Sequence, residues 1–188
     1  TEYDQNGRIA GRLDIPLSEA GKAQAASVAS SIAKAVERDE RLSVQAIYVS
    51  KHQAALQTAD AVAQATGSKI VQWKQLTNLD HGLWQGQTAD AIKSKYPKVY
   101  RRWQEQPDTI CPPEGEMLSE ARERLGEVIA KVRKRTKEGV IAIVAAEPLA
   151  SILSAQLKRE EIGDLWKAEE NCGNWELIEV PADLPASA

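Results

Sequence analysis

The sequence predicts an α/β three-layer sandwich, with helices flanking both faces of a largely parallel central sheet. Short β-branched runs alternate with longer segments of helical period, the signature of that class. One run, Val140-Ile141-Ala142-Ile143-Val144, is apolar at every position, as in a strand buried on both faces. The chain of 188 residues is 43% apolar, enough for one full-sized core.

Ser18 is the expected N-cap of a helix reaching about Asp39, with Ala25, Val28, Ala29, Ile32 and Val36 at helical spacing. Val44–Val49 reads as a strand. The Ala-rich stretch Gln53–Thr66 reads as a helix stopped by Gly67, and Ile70–Trp73 as a second strand. A short helix is expected from about Thr88 to Tyr96, ended by Pro97, and another around Val99–Gln104. Met117–Lys137 is a long amphipathic helix with a basic, solvated end. After Val140–Val144, Pro148 suits the first turn of a helix at Leu149–Leu157. Trp175–Val180 is expected to close the sheet. One domain spans residues 1–180, and the Pro/Ala-rich stretch 181–188 reads as a loose tail.

A net charge of -3 gives no reason to expect nucleic acid or an anionic membrane as partner. No run approaches the roughly 18 apolar residues that would cross a bilayer. Cys111 and Cys172 have no metal-type spacing and fit a reducing, cytoplasmic compartment. Neither a metal nor a cofactor is implied.

A series of motifs carries more information. They are Thr1-Glu2-Tyr3-Asp4, Gly7-Arg8-Ile9-Ala10-Gly11, Asp14-Ile15-Pro16-Leu17, Ala55-Leu56-Gln57-Thr58-Ala59, Gly82-Leu83-Trp84-Gln85-Gly86 and Pro112-Pro113-Glu114-Gly115-Glu116. In order and spacing they resemble the histidine phosphatase superfamily, also called phosphoglycerate mutase-like, whose members move phosphoryl groups with a histidine nucleophile. The resemblance implies that fold, and it places the first strand, ending in Arg-His-Gly, just upstream of Thr1. Removing a central strand leaves neighbouring backbone groups unpaired. The slot beside Val140–Val144 is therefore expected either to hold other residues or to be closed by a rearranged sheet.

The resemblance also identifies the positions where chemistry would occur, and there this chain departs from the family. Asp4 stands where the family has an Asn amide donor. A carboxylate offers no donor, and it repels an anion by about 4 kcal/mol at 4 Å in an effective dielectric of 20. Ala54 replaces the Arg that grips phosphoryl oxygens in a bidentate way. Asn78 replaces the Glu that protonates the leaving group, and an amide cannot act as a general acid. Ala146 replaces a His, and Glu147 the Gly after it, adding negative charge. Glu147 also suits the following helix N-terminus on dipole grounds alone.

Several retained or substituted groups remain candidates for binding: Arg8 at the rim, Gly11, His52 and Glu116, besides Glu147. Arg101 and Arg102 form a basic pair on a lid-like helix. Asp80 and His81 are adjacent titratable groups, but successive side chains point apart, so no joint role is expected. Groups that act as a unit fail together, and losing the Arg, the acid and the His implies rates lower by on the order of 10⁴-fold.

Three readings follow. The first is a pseudoenzyme that has lost phosphoryl transfer and serves in binding or scaffolding, with a small-molecule or protein partner and room for a homodimer. The second is an active phosphatase or mutase with a rebuilt pocket, for which Arg101 and Arg102 are the best support. The third is a binder of a non-phosphate small molecule, in which Trp73, Trp84 and Trp103 form an apolar wall and Asp4 or Glu147 selects a cation.

Overall fold

A computed structural model of the chain describes residues 1–136, 139–168 and 172–180. Thr1 and Asp4 cap each other around a short helix, α1 (Glu2–Gln5), so Asp4 sits in a helical turn rather than a loop. Helix α2 (Glu19–Arg38) starts where the Ser18 hydroxyl accepts from the Gly21 amide at 3.2 Å. Strand β1 (Val44–Val49) follows, then α3 (Gln53–Thr66), which Gly67 ends in the left-handed region at φ 71°. Strand β2 (Lys69–Gln72) begins and ends one residue before the expected stretch.

Thr88 caps α4 (Ala89–Lys95). Pro97 does more than end it, because it also occupies the first turn of α5 (Pro97–Glu105), where a missing N–H costs nothing. Helix α6 (Leu118–Arg135) leads to β3 (Val140–Val144), α7 (Leu149–Lys158) and the short α8 (Leu165–Ala168). The expected end of α6 at Lys137 and the tail 181–188 lie outside the described residues.

The three strands form one parallel sheet in the order β2-β1-β3. Tyr48 pairs with Val71 on one side and Ile143 on the other. Alternation along the strands then sorts the core into two layers. Ile47, Val49, Val140, Ala142 and Val144 pack with Ala29 of α2 and with Ala55, Ala59 and Val62 of α3. Tyr48, Ile141 and Ile143 pack with Leu125, Val128 and Ile129 of α6 and Ile152 of α7. Trp84, Trp103 and Trp166 extend this second layer, Trp84 meeting Trp103 edge-on with centroids 5.4 Å apart.

Two expectations need correction. Trp175–Val180 forms no strand, because among the described residues no segment supplies its ladder partner. Among the described residues no strand pairs with the edge of β3 away from β1, and β3 and residues 174–180 line one cavity. Every β3 residue is accordingly only half-buried.

Ala59 is fully buried between α3 and the sheet, where the small side chain sets a close approach. Ala59→Leu should overpack this layer and cost about 1–3 kcal/mol, read as a lower urea midpoint.

Candidate functional site

The cavity lies at the carboxyl ends of β1 and β3, where ligands bind in open parallel sheets. The turn after β1 brings Ser50, His52 and Ala54; the turn after β3 brings Ala145, Ala146 and Glu147. Asp4, Gly11 and Asn78 line the same space, which continues along β3 to residues 174–180, with a total volume of about 1630 Å³. Asp4, Ala54, Asn78 and Ala146, scattered in sequence, are thus brought to one place.

Asn78 is buried, and both ends of its amide are hydrogen-bonded. Nδ2 donates to the Glu147 carbonyl at 2.7 Å, while Oδ1 accepts from the amides of Leu79 at 2.8 Å and Leu149 at 3.4 Å. It therefore pins the loop before α7. Glu147 accepts from the Ser151 amide at 3.1 Å, as a carboxylate at a helix start should. Burial raises its pKa, and the Ser151 hydrogen bond works against that rise.

His52 points inward and its Nε2 lies 3.1 Å from the Arg12 carbonyl, a contact that requires the proton on Nε2. Its Nδ1 is buried without a hydrogen-bond partner. Gly11 adopts φ 53°, and a Cβ there would lie 2.4 Å from Gln85 Oε1, the atom that accepts from the Arg12 amide.

The remaining candidates stand elsewhere. Arg8 donates to the Gly86 carbonyl at 2.6 Å and is exposed. Arg101 and Arg102 are exposed on α5, where Arg102 donates to the Thr109 hydroxyl at 3.3 Å, and neither lines the cavity. Nor do Trp73, Trp84 and Trp103. Trp84 and Trp103 belong to the core, and Trp73 packs on Tyr48 at 4.3 Å, so the expected aromatic wall does not exist.

Glu116 anchors a network around the cavity. Its carboxylate accepts from Arg12 at 3.0 Å and from Arg124 at 2.7 Å, and Arg12 also donates to Asp80 at 3.2 Å. Both guanidiniums further reach the Asn78 carbonyl. Sequence reading passed over Arg12 because its partners lie 68 and 104 residues away. Asp80 takes the Gly82 amide at 2.9 Å, which shapes a tight turn against Pro113.

His81, next along, is buried near Trp103 with ring centroids 6.0 Å apart. Burial lowers its pKa to about 4, against the pull of Asp80 and Glu116. Among the described residues, the charged side chains lining the cavity are the carboxylates of Asp4, Glu147, Glu160, Glu161, Glu176 and Glu179, and the guanidinium of Arg133. Arg133 belongs to the end of α6, which leads into the amino end of β3, opposite Ala54 and Ala146.

This geometry can be set beside known proteins. The family model described as histidine phosphatase superfamily (branch 1) matches residues 1–184. The chain belongs to that superfamily. It is 32% identical over 145 residues to phosphoserine phosphatase 1 of Hydrogenobacter thermophilus, covering 77% of this chain and 65% of that protein. It is 30% identical over 125 residues to bifunctional protein Rv2228c of Mycobacterium tuberculosis, covering 66% of this chain and 32% of that protein. The chain thus spans less than two thirds of these relatives' lengths. Among solved structures, mycobacterial glucosyl-3-phosphoglycerate phosphatase Rv2419c with VO3 superposes with a TM-score of 0.76 at 26% identity, over 88% of this chain and 83% of that one. Bacillus stearothermophilus YhfR gives 0.73 at 27% identity, over 88% and 79%. Among the described residues of this superfamily member, no helix is long and apolar enough to cross a membrane.

Two pH effects follow. A neutral His81 in the fold, against a protonated one in the unfolded chain, gives stability that is complete above pH 6.5. It is lost as pH falls towards about 4, by up to about 3 kcal/mol. Urea midpoints across this window should fall, and His81→Leu should flatten the fall. Glu147 has the opposite sign: its raised pKa makes the ionised form a cost above the folded value, and that cost is absent below the unfolded one. Glu147→Gln should raise the urea midpoint at pH 7, with no gain once acid has protonated the carboxyl in both states.

Proposed function

We propose that this superfamily member performs no phosphoryl transfer and acts as a binding or scaffolding module. One observation carries the reading. The carboxyl ends of β1 and β3 converge on Ala54, Asn78, Ala146 and Glu147, with no cationic side chain among the described cavity-lining residues at that end. Phosphoryl transfer needs cations or preorganised donors aimed at the equatorial oxygens, and a proton source for the leaving group. Two guanidiniums around the cavity, Arg12 and Arg124, are paired with Glu116 and Asp80 and donate to backbone carbonyls. Asn78 holds the loop instead of a proton, and the ionised form of Glu147 repels a dianion.

His52 does not restore the chemistry. One ring nitrogen is committed to the Arg12 carbonyl, and no cation beside it would hold an ester in line. The competing reading, a phosphomonoester hydrolase, is supported by the names of relatives, which are phosphatases. Its proposed basic pair, Arg101 and Arg102, stands outside the cavity. A cationic ligand suits the carboxylate-rich wall better than an anionic one.

Phosphoserine, sugar phosphates and para-nitrophenyl phosphate should show no hydrolysis above buffer, and vanadate should give no thermal shift. Ala54→Arg combined with Ala146→His should create a vanadate-dependent shift. Tight vanadate binding by the unsubstituted chain, or turnover that disappears in His52→Ala, would overturn the proposal.

A further inference from the structure

Helices α4 and α5 gather positive charge that the packing of the core does not call for. The stretch from Lys93 to Arg102 holds five cations, Lys93, Lys95, Lys98, Arg101 and Arg102, and no acid, in a chain whose net charge is -3. All five are exposed. Among the described residues none of them makes an ion pair. Arg102 donates to the Thr109 hydroxyl, while Lys93 and Lys95 lie over the rings of Tyr100 and Tyr96, with Nζ 5.5 and 5.3 Å from the centroids.

Helix electrostatics accounts for part of this. Lys93 and Lys95 fall in the last turn of α4, where cations suit the dipole. Lys98 stands in the first turn of α5, the wrong end for a cation, and that turn holds no acid. Arg101 and Arg102 follow Lys98 at i+3 and i+4, so three like charges share one side of α5 and repel. Trp103 is buried, and Val99 and Tyr100 pack against the core on the opposite side. Lys98, Arg101 and Arg102 thus stand away from the core and work against the stability of their own helix. Anionic charge settling over this face relieves that repulsion.

The chemistry of the face narrows the ligand. None of the five cations lines the cavity, so a single small anion would be held on open, screened surface, whereas several linked anions add their attractions. A bilayer needs an apolar anchor as well as charge. Here the apolar side of α5 is committed to the core, and Tyr96, 42% exposed, is the one exposed large hydrophobic residue of the stretch. A long nucleic acid would run past the face onto exposed carboxylates, Asp90 before it and Glu105 after it. A short acidic peptide meets neither obstacle. Helix α5 has nine residues and is about 13 Å long, the reach of about four residues of extended chain.

We propose that the exposed face of α4 and α5 docks a short acidic segment of a partner protein. Arg101 and Arg102 take its carboxylates through their planar forks, Lys93, Lys95 and Lys98 supply the surrounding field, and Tyr96 offers a ring beside them. This surface stands outside the cavity, so the proposal goes beyond the loss of phosphoryl transfer and does not depend on it.

The test reads fluorescence anisotropy of a labelled octaglutamate peptide against the 188-residue chain at low salt. Saturable binding is expected, weakened about tenfold by Arg101→Glu combined with Arg102→Glu, and weakened by added salt. Lys34→Glu combined with Lys134→Glu alters net charge equally at exposed sites on α2 and α6, and should change binding less than about twofold. The Arg101/Arg102 variant should match or exceed the urea midpoint of the unsubstituted chain, because like charges leave one face. If it fails to fold, Lys98→Gln combined with Arg101→Gln supplies the comparison, with a loss of about fivefold. Absence of saturable binding, an equal loss in the Lys34/Lys134 variant, or tighter binding of a DNA duplex or of phosphatidylserine vesicles than of the peptide would overturn the proposal. So would a sedimentation dimer dispersed by the Arg101/Arg102 variant, which assigns the face to a second copy.

Discussion

The Glu116 carboxylate is the interaction that joins the segments framing the cavity. It is nearly buried, its side chain only 10% exposed, and it joins Arg12 from the loop before α2 to Arg124 on α6. Its own backbone amide donates to the Asp80 carbonyl at 2.9 Å, and the Asp80 amide reaches the carboxylate at 3.3 Å. Three segments distant in sequence are thereby fixed to one another. Removing one partner of such a group leaves a charge stranded in low dielectric, at a typical cost of 3–5 kcal/mol.

The same network decides the electrostatics of the site. Cationic side chains are present near the cavity, yet they are consumed in holding it together. Arg12 and Arg124 spend their donors on Glu116, Asp80 and the carbonyls of Gln75 and Asn78. What faces the interior is an amide hydrogen-bonded to the backbone, two alanines and a carboxylate whose charge is disfavoured by burial. The superfamily's framework and a cavity end lined by these groups therefore coexist through one arrangement of charge.

Much of this was legible in the sequence where the signal is local or periodic. The β-branched runs and helical stripes located β1, β3, α2, α3 and α6, since side-chain spacing encodes which face is buried. Motif order located the positions now held by Ala54, Asn78 and Ala146. The reading stopped where partners are remote. Arg12 carries no local mark, since its role exists only once Asp80 and Glu116 fold beside it. Helix α1 escaped notice because four residues have no period and rest on the Thr1–Asp4 cap alone. Trp175–Val180 has strand composition, but a strand is a property of a pair, and composition does not supply the neighbour. Arg101 and Arg102 looked like a lid, whereas α5 buries Trp103 and leaves both arginines in solvent.

The placement of Asn78 constrains what else could stand there. Its amide nitrogen is the donor to the Glu147 carbonyl, and its oxygen receives the first amide of α7. A carboxyl side chain at this position would bring, once ionised, an acceptor to face an acceptor. Installing an acid at residue 78 would therefore require the loop before α7 to change with it, and the substitution alone would meet loss of stability first.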